Sequence, residues 1–143
     1  MTDSVRNQPT LTYEGARRVL EAALAEATAL GVPVNVSVCD PGGHQVAFAR
    51  MDAAPLLSAG IAADKAYTVV AFAGVPTSRW FGMIEHEPAL REGIVHRDRL
   101  VVFGGGVPVT VEGVLVGAVG VSGGTAEQDD QVASAGAAAL QGA

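Results

Sequence analysis

Three histidines, His44, His86 and His96, are the side chains here that titrate nearest neutral pH and that could hold a metal. His44 or His96, working with Asp40, would suit proton transfer. No HxH or HExxH spacing occurs, which speaks against an all-protein metal site. A single cysteine, Cys39, excludes an internal disulfide and a Cys-based zinc cage. Two cations stand among apolar or small neighbours. Arg50 follows Val46 and Phe48 at alternate positions. It either reaches solvent or a carboxylate, or clamps a ligand carboxylate at a pocket mouth. Lys65 lies in an alanine-rich run. It is either a surface lysine or a buried one that needs an anionic partner: Asp40, Asp52 or a ligand carboxylate.

A second chemical signal is backbone rather than side chain. The stretch 101–130 holds Gly104-Gly105-Gly106, then two runs of alternating valines joined at Glu112-Gly113. Period-two alternation across a short turn predicts an antiparallel hairpin, with Gly113 taking the positive φ. Gly117, Ala118 and Gly120 leave the second strand bare, which marks close approach by another backbone or a ligand. Ser122-Gly123-Gly124 leads to Thr125, a helix cap with Gln128 three residues on. Free N–H groups at that helix start offer an anion seat, or the turn simply feeds a structural helix. Gly105, Gly120, Gly123 and Gly124 are therefore ligand-binding candidates beside Arg50 and Lys65.

The elements that must position these groups follow from periodicity. Thr12 caps a helix that carries Ala16, Val19, Ala23, Ala27 and Leu30, and Gly31 and Pro33 stop it. Val34, Val36 and Val38 alternate with polar residues as a strand. Asp40-Pro41-Gly42-Gly43 predicts a tight turn of type II form, and His44 to Met51 returns as a second strand. Pro55 to Phe72 reads as a helix, Trp80 to Ile84 as a short one, and Ala126 to Leu140 as the last. Glu85 to Arg99 is charged and irregular. It is a solvated loop, or a loop over a pocket that supplies a haem or metal ligand through His86 or His96.

Composition bounds the possibilities. The length predicts one domain, 11–143, behind a flexible tail of residues 1–10. Aromatics are 5% and glycines number 18, so the core must be Ala, Val and Leu packed closely. A net charge of −6 argues against nucleic-acid binding. No run approaches a membrane span and the start lacks an apolar leader region, so the expected location is cytoplasmic. Hydrophobic residues at 49%, with small-residue helix faces, suggest a homo-oligomer.

Taken together, these motifs resemble the GlcG/HbpS-like family, also called haem-degrading, which includes the C-terminal domain of PduO-type proteins. The residues that carry the likeness are Asp40-x-Gly42-Gly43, Arg50-Met51-Asp52, Ala62-x-x-Lys65-Ala66, the GGVP run at 105–108, Gly117-Ala118-x-Gly120-Val121-Ser122-Gly123 and Glu127-Gln128-Asp129. The likeness spans roughly 11–140. It implies a profilin-like α+β fold, an antiparallel sheet flanked by helices, in a homo-oligomer.

The resemblance also implies a small-molecule ligand, with haem foremost. His44, His86 and His96 are then candidate axial ligands, and Arg50, Lys65 or the Arg91–Arg99 cluster would meet the propionates. Phe48, Phe72, Trp80, Phe81 and Phe103 are available for apolar contact. The alternative is a cofactor-independent enzyme acting on a small unsaturated or hydroxy carboxylic acid. Arg50 or Lys65 would then anchor the acid, and His44 or His96 with Asp40 would move protons.

Overall fold

The computed structural model describes residues 3–141. Helix α1 spans Tyr13–Leu30, and strands β1 and β2 are Asn35–Cys39 and Gln45–Arg50. Helix α2 is Leu57–Ala71; a 3-10 turn at Thr77–Arg79 leads into α3, Trp80–Ile84, and then α4, Pro88–Ile94. Strands β3, Gly106–Val111, and β4, Val114–Ser122, precede α5, Ala126–Ala138. The four strands form one antiparallel sheet in the order β2-β1-β4-β3. This is the expected α+β architecture. Helix α4 is an addition: Pro88 starts it within the segment read as irregular, and none of its residues is buried. With no apolar stripe to bury, it left no periodic signal.

The two sheet faces differ in kind. Val36, Val38, Val107, Val109, Val119 and Val121 turn one way and pack on Ala16, Val19, Ala23 and Ala27 of α1 and Val132 and Ala133 of α5. The other face presents Cys39, Ala118, Gly106 and Gly120 to α2. Small residues are required there because α2 lies on the strand backbone. A Cβ at Gly120 would run into Ala62 O and stand 2.6 Å from Ala66 N. The bare strand thus marks close approach by the chain's own helix.

Both hairpin turns depart from expectation in detail. In the first, Gly43 N–H donates to Asp40 O at 3.0 Å, and the positive φ (86°) falls on Gly43 instead of Gly42. A bulge after Val38 follows, so Val46 leaves the face it was expected to share with Phe48 and Arg50 and packs on the main core instead. In the second turn, Glu112 (φ 52°) and Gly113 (φ 78°) are both left-handed, and a bulge lies between Val109 and Thr110. Both positive φ values fit the twist of a two-residue hairpin, and they override the poor preference of Glu.

Residues 3–10 carry no helix or strand and are exposed, and residues 1 and 2 of the expected tail lie outside the described residues. No helix among the described residues is long and apolar enough to cross a membrane.

Candidate functional site

Lys65 is the largest fully buried side chain, and its environment is built from three elements. Its Nζ donates to Val121 O on β4 at 2.8 Å and to Asp129 Oδ2 on α5 at 3.1 Å. The Phe103 ring lies 5.1 Å from the ammonium, close enough for a cation–π contact. Gly105 makes the room: with φ 128°, its missing Cβ would stand 2.5 Å from Nζ. The partner is therefore Asp129, not Asp40 or Asp52. Burial pushes the Lys65 pKa below its ordinary value, and the charge of Asp129 opposes that shift.

The α5 helix start is also occupied from within. Gly124 N–H donates to Asp129 Oδ1 at 2.8 Å, while Thr125 and Gln128 close a capping box. The Gly123 and Gly124 gaps face Pro33 O and the Gln128 side chain. Lys65, Gly105, Gly120, Gly123 and Gly124 are thus brought together by the chain's own packing. Arg50 stands apart, exposed at the end of edge strand β2, with no side-chain partner among the described residues.

A concave surface lies on the opposite side of α2. A cleft of about 250 Å³ is bounded by Tyr67, Thr68, Ala71 and Phe72 of α2 and its C-terminal cap, by Trp80, and by Ile94 with residues 97–100. Arg99 shapes its rim. Its backbone is left-handed (φ 65°), its Nε donates to Asp64 Oδ1 at 2.9 Å, and its guanidinium lies 4.1 Å from the Tyr67 ring centroid. The Thr68 hydroxyl pins this loop, accepting from Val101 N–H at 3.0 Å and standing 2.9 Å from Arg99 O. Trp80 is buried, stacks obliquely on Phe72 at 4.8 Å, and leaves its Nε1–H without a partner.

The histidines do not converge. His44 is exposed on the first hairpin turn, with Nδ1 3.3 Å from Asp40 Oδ1. That oxygen already accepts the N–H groups of Gly42 and His44, so Asp40 serves the turn. His86 is exposed beside Glu85, and His96 is exposed on the loop that borders the cleft. Among the described residues, no group of three His, Cys, Asp or Glu side chains is placed to hold a metal ion. Of the cleft residues, Phe72, Trp80, Arg97 and Arg99 lay within the sets named from sequence. Tyr67 and Thr68 did not. Their signal is a second stripe on α2, Asp64, Thr68 and Ala71 with Tyr67, on the side away from the sheet.

Comparison with known proteins agrees with this architecture. The chain is 39% identical over 127 residues to an uncharacterised 15.0 kDa protein encoded between dhaT and dhaS in Citrobacter freundii, covering 84% of each. A double mutant of Streptomyces reticuli HbpS superposes with a TM-score of 0.85 at 32% identity, covering 98% of this chain and 93% of that one. The PduOC:haem complex superposes with a TM-score of 0.80 at 31% identity, covering 92% and 96%. Residues 11–138 match the family described as haem degrading protein HbpS-like, and the chain belongs to that family.

Proposed function

We propose that this protein binds haem, with the macrocycle lying against the mouth of the cleft beside α2. The observation that carries this reading is the half-exposed Phe72 next to Tyr67, flanked by Arg97 and Arg99. A flat apolar ring with carboxylate arms is complementary to an aromatic wall edged by guanidinium groups. The family and the haem complex of the PduOC relative support the same ligand. At about 250 Å³ the cleft is smaller than the ~300–1,000 Å³ usual for ligand pockets, so the ring rests outside it. Among His44, His86 and His96, His96 is the first choice for the axial ligand, because its loop forms the cleft rim. His44 is the second, since the Gly43 turn packs on Tyr67.

A homo-oligomer belongs to the same proposal. Phe81, Met83, Leu90 and Val95 expose apolar surface around α3 and α4, which a second copy would cover. The proposed setting is the cytoplasm, which cell fractionation would check. Hemin titration followed at the Soret band tests the ligand. A saturable red shift, altered in His96→Ala, is expected. No shift, or a shift unchanged when all three histidines are replaced by alanine, would defeat the assignment of a histidine-ligated haem.

A further inference from the structure

The cleft is lined by a cation that the fold itself does not use. Arg99 is committed to Asp64 and to the Tyr67 ring, and the Thr68 hydroxyl to the backbone of its own helix and of the 99–101 loop. One cation remains: Arg97 has no side-chain partner among the described residues and is exposed at the cleft. The walls are aromatic, Tyr67, Phe72 and Trp80, and the volume of about 250 Å³ suits a single ring instead of a macrocycle.

We infer that the cleft is a binding site for a small aromatic carboxylic acid in its ionised form. Its ring stacks within the aromatic walls, and its carboxylate accepts from the exposed Arg97 guanidinium. Asp98 also lines the cleft and opposes an anion. The site is consequently tuned to moderate affinity, and removing that charge strengthens it. This site shares Tyr67, Phe72 and Arg97 with the surface proposed for haem, so the two ligands would compete there, but each is titrated separately and neither reading depends on the other.

Trp80 is the single tryptophan of the chain, so its fluorescence reports on the cleft directly. The experiment titrates the intact protein with benzoate at neutral pH, with benzyl alcohol as the uncharged counterpart. Saturable quenching by benzoate is expected, with little response to benzyl alcohol. Arg97→Gln should weaken benzoate about tenfold or more, the loss of one charge-assisted contact. Asp98→Asn should tighten it. Both residues are exposed, so the variants fold.

Absence of saturation, equal binding of benzyl alcohol, or an unchanged affinity in Arg97→Gln overturns the inference, whatever hemin does. A Soret titration of the same samples keeps the two readings apart. Benzoate binding without hemin binding defeats the haem proposal alone. Hemin binding without benzoate binding defeats this one alone.

Discussion

Lys65 Nζ lies 3.1 Å from Asp129 Oδ2, and both side chains are buried. This pair joins α2 to α5 across the end of the sheet, and each partner also holds backbone: Lys65 holds Val121 O and Asp129 holds Gly124 N–H. Neither charge has access to water that would compensate for loss of the other. Lys65→Met should therefore destabilise the fold by about 3–5 kcal/mol, the usual penalty for stranding one member of a buried pair. The double variant Lys65→Met/Asp129→Leu should recover part of that loss. Urea unfolding of the two variants checks this. Equal stability of Lys65→Met and wild type would show that the pair contributes nothing.

Two glycines of the same region should respond in opposite directions. Gly120 faces the α2 backbone at Ala62 and Ala66, which cannot rotate aside. Gly120→Ala should cost more than the ~1–3 kcal/mol of ordinary overpacking. Gly60 lies inside α2, its φ is not positive, and a Cβ there would meet no heavy atom within 4 Å. Gly60→Ala should stabilise by about 0.5–1 kcal/mol through helix propensity. Thermal unfolding of both variants gives the comparison.

Arg50 ends the edge strand, exposed and away from the cleft residues. Replacing it with alanine should change stability by no more than ~0.5 kcal/mol, as for most isolated surface positions. Hemin and benzoate affinities should also be unchanged. A tenfold loss of either would return Arg50 to the ligand site.

Cys39 supplies a pH dependence. Burial raises its thiol pKa from the ordinary 9.0 to about 12. Between these values the unfolded chain has released this proton and the folded chain retains it. The folded state then binds more protons, so this contribution to stability is complete below pH 9 and is lost as pH rises toward 12. The loss approaches about 1.4 kcal/mol per pH unit. Lys65, with its pKa shifted down, acts in the opposite sense below its ordinary 10.5. The clean measurement is the stability difference between wild type and Cys39→Ala, which removes the thiol and leaves Lys65 in place. That difference should shift against wild type above pH 9, and a flat difference would contradict the assignment.

Local rules were enough to read the elements from the sequence, α4 excepted. Alternating valines, a Thr-capped alanine helix ending at Gly31, and the Thr125–Gln128 capping box each state their structure within a few residues. The bareness of β4 also announced a close approach, and the family motifs supplied an antiparallel sheet flanked by helices. Only the tertiary structure decided what approaches whom. Gly120 meets Ala62 and Ala66, and Lys65 meets Asp129 across 64 positions of chain. Charge pairing at that separation leaves no local pattern, because it depends on how the helices are laid over the sheet. The sequence offered 85–99 as a loop over a pocket, but the wall that this loop meets was hidden for the same reason. Tyr67, Trp80 and Arg97 are ordinary residues in three different segments, and they become a site only where α2, α3, the end of α4 and the 95–100 loop meet.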